Sequence, residues 1–311
     1  MNNSGKALLA VAIFCVAALS VFYLARDPER RVLDARARQG APGKFVTLSD
    51  GVTHYQIDGP DTGRVVLLAH GFSVPLYIWD STAAALSSAG YRVVRYDAYG
   101  RGLSDRPDVS YTDALYDRQV LELLDSLKIT RADLAGVSAG GFVTGVFAGR
   151  HPDRVRSLVL VDPVAGQTST TMHPFDLPLV GRYLWQTLAV PGMAASQPSD
   201  FVDPSKFPDW VERYRPQTRY KGFGHALLST QLERLGMSMD TVYRRVAAAG
   251  VPVMLLWGRE DHTVPFARSE SVRKAIPAAE FHAIDGVGHL PILEKAALTD
   301  SLFLSFFERH R

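Results

Sequence analysis

The chain has 311 residues, 47% hydrophobic, 21% charged and 10% aromatic, a mix that excludes wholesale disorder, collagen and low-complexity architectures. Lys and Arg total 34 against 32 Asp and Glu, with no long single-sign run, so no nucleic-acid partner is expected. A single cysteine, Cys15, excludes internal disulfides and thiolate-rich zinc or iron–sulfur sites.

Residues 1–6 form a short N-terminal tail, and residues 7–25 run from Ala7 to Ala25 without a charge. As a helix rising 1.5 Å per residue that run is ~28 Å long, close to the ~30 Å hydrocarbon core of a bilayer. The length predicts an uncleaved, single-pass membrane anchor. The competing reading is a signal peptide cleaved near Ala18-Leu19-Ser20, but the apolar run continues through Val21–Leu24. Lys6 precedes the run, whereas Arg26, Arg30, Arg31, Arg36 and Arg38 follow it. Counting basic residues leaves the following domain on the cytoplasmic side; export is the alternative. Residues 26–43 are Arg-rich, end in Gly40-Ala41-Pro42-Gly43 and read as a linker or juxtamembrane helix.

Lys44–Leu48 and Val52–Ile57 predict two strands joined through the turn pair Asp50-Gly51. Continuous apolar runs then recur at Val65–Ala69, Arg92–Tyr96, Ala132–Val137, Ser157–Val161, Val253–Trp257 and Glu280–Ile284, as in strands covered on both faces. Helical periodicity, as over Thr112–Leu127, fills most gaps. The alternation predicts an α/β fold with a mostly parallel eight-stranded sheet flanked by helices. From Gln167 to Asp240 the rhythm stops, in a stretch holding nine aromatic residues. A bare loop of that length is not expected, so residues 167–240 predict a helical cap, and residues 44–166 and 241–311 the α/β core.

Gly136-Val137-Ser138-Ala139-Gly140 follows directly on a predicted strand and opens a predicted helix, the strand–turn–helix context of a nucleophile elbow. Ser138 is the candidate nucleophile. A serine hydroxyl needs a base, and of nine histidines His289 fits best, in a Gly-flanked loop after the last strand, where a solvent-accessible imidazole is expected. Asp261, in the loop after Val253–Trp257, is the candidate carboxylate; Glu260 and Asp285 are its competitors. The chain order Ser138, Asp261, His289 is the hydrolase-type order.

From about Lys44 onward the chain resembles an α/β-hydrolase-fold serine hydrolase. The likeness is carried by His70-Gly71-Phe72, Asp97-Ala98-Tyr99-Gly100-Arg101-Gly102-Leu103-Ser104-Asp105, the Ser138 elbow, and the loops of Asp261 and His289. With its anchor and cap it is similar to monoacylglycerol-lipase-like esterases. The resemblance implies an oxyanion hole from the backbone N–H groups of Phe72 and Ala139, a loop-fixing role for His70, and loop-stitching roles for Asp97 and Arg101. It implies cleavage of a small-molecule carboxylic ester, lipid-like or amphiphilic, without metal or cofactor. Carbon–carbon bond hydrolysis, perhydrolase or acyltransferase chemistry on the same three residues are the alternatives, with a non-catalytic scaffold last.

Overall fold

The structure, a computed structural model, describes residues 3–311. Helix α1 (Asn3–Arg26) carries no buried residue and is long and apolar enough to cross a membrane.

Eight strands form one sheet in the order β1-β2-β4-β3-β5-β6-β7-β8. They are β1 (Lys44–Leu48), β2 (Gly51–Asp58), β3 (Val65–Ala69), β4 (Arg92–Tyr96), β5 (Ala132–Val137), β6 (Val155–Val161), β7 (Val253–Gly258) and β8 (Glu280–Ile284). β2 runs antiparallel to β1 and β4, and the remaining pairs are parallel. Each predicted strand is present. β6 starts two residues earlier than its apolar run because Val155 is itself buried beside Ala132.

β5 and β7 are buried at every position, which is why they read as near-continuous apolar runs rather than alternating ones; the exception, Asp133 of β5, is paired with Arg64 and accepts from Ser157. Their alternate side chains feed two cores. Ala132 and Leu134 of β5 join one, whereas Ala135 and Val137 join the other. Helices α2 (Asp80–Ser88), α3 (Asp113–Ser126) and α4 (Ala139–Arg150) fill the crossovers. The Thr112 side chain caps α3 by accepting from the Leu115 N–H, so the predicted helix gives up one residue at each end.

Between β6 and β7 the chain forms short helices: α5 (Val180–Leu184), a π-helical turn at Trp185–Ala189, α6 (Val190–Ser196), α7 (Trp210–Tyr214) and α8 (Phe223–Leu232). Phe201 stacks on Phe207 and meets Trp210 edge-on, and Trp210 meets Tyr77 edge-on in turn, joining this segment's aromatics to the core over the sheet. α9 (Met239–Ala248) packs on α4, followed by α10 (Ser269–Ala275), α11 (Pro291–Glu294) and α12 (Ala296–Arg309), which packs on α2.

Residues 27–43 lie against the globular part. Arg31 and the 219–221 turn exchange two backbone hydrogen bonds of 2.9 and 2.8 Å. The Glu29 carboxylate accepts from the N–H groups of Gly222 and Gly224, each at 2.6 Å. Arg38 pairs with Asp105 and donates to the Leu103 carbonyl. At the far end Pro42 O accepts from His54 Nε2 at 2.7 Å. Burial pushes the Glu29 carboxyl above its usual range, and the two glycine N–H groups only partly offset that.

Candidate active site

The parallel strands β5, β7 and β8 all end at the same edge, and the loops beyond them bring the predicted Ser138, Asp261 and His289 together. Ser138 follows β5 in a left-handed conformation, φ 55° and ψ −119°, which costs a non-glycine residue roughly 1–2 kcal/mol. The two glycines around it are forced by space. A Cβ on Gly136 would stand 2.3 Å from the Gly140 carbonyl oxygen, and one on Gly140 would stand 2.2 Å from that of Ala69. The motif spacing is therefore the footprint of α4 crossing tightly over β3 and β5.

His289 Nδ1–H donates to Asp261 Oδ2 at 2.7 Å. The other carboxylate oxygen accepts from the N–H groups of Thr263 and Val264, both at 2.8 Å. The pair is buried, and the bond at Nδ1 sets the imidazole tautomer so that Nε2 is the acceptor. His289 and Ser138 line one cavity of about 170 Å³. The competitors are occupied elsewhere: Glu260 accepts from the Val287 N–H at 3.1 Å, and Asp285 pairs with Arg259 at the surface. One expectation is corrected. His289 is not solvent-accessible but 4% exposed, because its own N–H is bonded to the Asp200 carbonyl of the inserted segment at 2.9 Å, which covers it.

The loop after β3 passes beside Ser138, since a Cβ on Gly71 would meet the Ser138 Cβ at 3.5 Å. Phe72 and Ala139 both border a hollow of about 20 Å³, the room of roughly one water. His70 holds this loop. Its Nδ1–H donates to the Gly71 carbonyl and its Nε2 accepts from the Ala98 N–H, which requires the neutral ring. Burial agrees, pushing its pKa down to about 4. Arg101 donates to the Phe72 and Tyr99 carbonyls and to Thr230 Oγ1. Asp97 accepts from the N–H groups of Leu76 and Leu103. Both residues thus tie loops together, as their resemblance implied.

Asp97 also receives His54 Nδ1–H at 2.7 Å, a second buried His–Asp pair that the sequence reading passed over. Its geometry matches that of His289–Asp261, but His54 Nε2 is spent on the Pro42 carbonyl. With a hydrogen-bond acceptor at each nitrogen the ring is a doubly protonated donor. Burial opposes that charge, and the Asp97 bond outweighs it, raising the His54 pKa. This pair fastens the N-terminal segment and has no lone pair left for a base.

The sequence reading also missed Asp162. It follows β6 directly with φ 42°, is fully buried, and accepts from the Gly258 N–H at 2.8 Å. Its Oδ2 is sealed from solvent with no hydrogen-bond partner. Donor atoms of Asp162, Asp261 and His289 lie within 4.8 Å of one another. As a cation site this set is poor, because Asp261 and His289 are bonded to each other, and burial first, then the Asp261 carboxylate, push the Asp162 carboxyl well above its usual range, against the charged form that a cation needs. The available signal was an acid placed between an apolar strand and Pro163, at the edge where the other site residues gather.

A folded-state pKa above the unfolded value makes the native state the better proton binder, so stability falls as pH rises from the carboxylate range through the folded pKa. Asp162→Asn keeps the shape and removes the ionisation. Its melting temperature, measured from pH 4 to pH 9, is expected to gain on the parent as pH rises. A difference independent of pH would mean that Asp162 is ionised in the native state.

A family model described as "Alpha/beta hydrolase family" matches residues 66–300. The 2-hydroxy-6-oxo-6-phenylhexa-2,4-dienoate hydrolase of Burkholderia cepacia is 27% identical over 285 residues, covering 86% of this chain and 97% of its own. Among solved structures, the enol-lactonase from Burkholderia xenovorans LB400 superposes with a TM-score of 0.74 at 24% identity, over 85% of this chain and 100% of that one. A membrane phospholipase A described as a bacterial virulence factor gives 0.72 at 23% identity, over 99% of this chain and 97% of that one. At these identities the two structures speak for the fold.

Proposed function

The chain belongs to the alpha/beta hydrolase family, and from that premise we propose that it is a serine hydrolase cleaving lipid-like or amphiphilic carboxylic esters. The observation that carries this reading is the Asp261–His289 bond of 2.7 Å opening on the cavity that Ser138 lines. His289 Nε2 takes the Ser138 proton as Oγ adds to the acyl carbonyl. Phe72 and Ala139 N–H groups receive the oxyanion. Collapse breaks the acyl C–O bond, and the proton on His289 passes to the leaving alcohol. Water, deprotonated by the same imidazole, then adds to the acyl-enzyme and releases the acid and Ser138. Asp261 holds the tautomer throughout, and no step needs a metal or nucleotide.

Residues 7–25 serve as a membrane anchor in this reading, and residues 167–240 as a cap over the cavity. Support for the anchor is the exposed, apolar α1. The structural likeness to a membrane phospholipase A extends over 99% of the chain and, at 23% identity, speaks for the fold.

The second reading, carbon–carbon bond hydrolysis, is favoured by the 27% identity to the dienoate hydrolase. The full-length protein in detergent, offered p-nitrophenyl esters from acetate to palmitate and a 2-hydroxy-6-oxodienoate, separates the two. Ester turnover rising towards medium or long chains is expected, with fluorophosphonate labelling of Ser138. Bleaching of the dienoate at a far higher kcat/KM than any ester would overturn the ester reading, and absence of both labelling and turnover would overturn serine hydrolysis.

A further inference from the structure

The inserted segment turns apolar side chains outward where it meets α1. Leu179 is 82% exposed, Val180 53%, Leu188 51% and Leu177 41%, all within or beside α5 and the π-helical turn. A patch of this kind, rimmed by polar residues, marks an interaction surface. The same stretch is fastened to the apolar helix. Tyr183 Oη donates to the Leu19 carbonyl at 2.8 Å, and the Tyr23 and Tyr183 rings lie 5.9 Å apart. Arg26 Nε donates to the Thr187 carbonyl at 3.1 Å, and Gln186 Nε2 to Asp27 Oδ1 at 2.7 Å.

These contacts set a depth. Leu19 precedes Arg26 by seven residues, so at 1.5 Å rise per residue Tyr183 touches α1 about 10 Å along its axis from Arg26. In a bilayer, Arg26, Arg30 and Arg31 stay with the headgroups, and Tyr183 then reaches into the zone below them. Tyr23 and Tyr183 are the residue type that favours that boundary. We propose that the Leu177–Leu188 face is immersed in the same leaflet that α1 crosses, at the depth of an interfacial helix, about 5–10 Å below the headgroup boundary. The partner is the lipid bilayer itself. This rests on the anchor reading above. It deepens the functional one as well, because the same inserted segment supplies Gln197 and Asp200 to the cavity of Ser138 and His289. With that segment immersed, the substrate class it points to is an ester whose acyl chain is already dissolved in the leaflet.

The test uses the full-length protein in phosphatidylcholine–phosphatidylglycerol vesicles, with Cys15→Ser and a single NBD-labelled cysteine at Leu179→Cys or, separately, Leu188→Cys. Both positions are exposed, so neither label disturbs packing, and Glu270→Cys serves as the aqueous control. The expected result is blue-shifted emission at 179 and 188, quenched by lipids carrying a doxyl group high on the acyl chain and protected from aqueous iodide. Iodide quenching equal to that at 270 would overturn the immersion. Protection from both quenchers would overturn it too, since a second protein copy would then cover the face. Alkaline carbonate extraction keeps the two readings apart: release of the protein sinks the anchor, whereas retention with an iodide-quenched label sinks the immersion alone.

Discussion

Ester turnover by the Ser138→Ala variant is expected to fall by about 10⁵-fold or more in kcat, leaving only what the oxyanion donors and substrate binding supply. The substitution removes one oxygen from a residue whose backbone is already held left-handed, so the strain stays and the fold with it. KM for a p-nitrophenyl ester should move little, since the hydroxyl contributes to bond making and hardly to ground-state binding. Stopped-flow measurement adds an independent mark: the parent releases a burst of p-nitrophenol as acyl-enzyme accumulates, and the variant releases none. Turnover within tenfold of the parent would remove Ser138 from the mechanism.

The second large effect concerns the tautomer. Asp261→Asn places an amide N–H against His289 Nδ1, and the ring answers by moving its proton to Nε2, the nitrogen that must accept from Ser138. A loss of about 10⁴-fold in kcat is expected. Fluorophosphonate labelling of Ser138 should slow in proportion, because the same deprotonation limits it. The two backbone N–H groups of Thr263 and Val264 still find the amide oxygen, so the variant should fold. A loss below tenfold would show that another group orients His289, and Asp162, within 4.8 Å, would be the first to examine.

Most of the sheet could be read in advance because strands covered on both faces are apolar at nearly every position, with the few buried polar residues, such as Asp133 and Ser157, bonded to partners. The Ser138 elbow was legible for a steric reason, since both glycines stand where a Cβ would strike a carbonyl oxygen. Asp261 was separable from Glu260 only by pattern, whereas the structure separates them by what each carboxylate accepts. The burial of His289 was not legible, because its cover, the Asp200 carbonyl, comes from a segment whose sequence shows helices but not their placement. Asp162 and His54 escaped for a related reason. A charged residue inside a buried layer declares its role only through its neighbours, and those neighbours lie 96 and 43 positions away along the chain.

The Glu29 carboxylate closes on Gly222 across 193 residues of sequence. During synthesis Glu29 leaves the ribosome long before its partner exists, at ~5–20 residues per second. Joining points so far apart also carries a large loop-closure entropy unless the intervening chain has already condensed. The N-terminal strap is therefore a late arrival, docking on a sheet and an inserted segment formed without it. An immature molecule whose strap is still loose leaves the Gly222 and Gly224 N–H groups open to water, and proteolysis between Arg26 and Gly43 should mark that population in a pulse-chase.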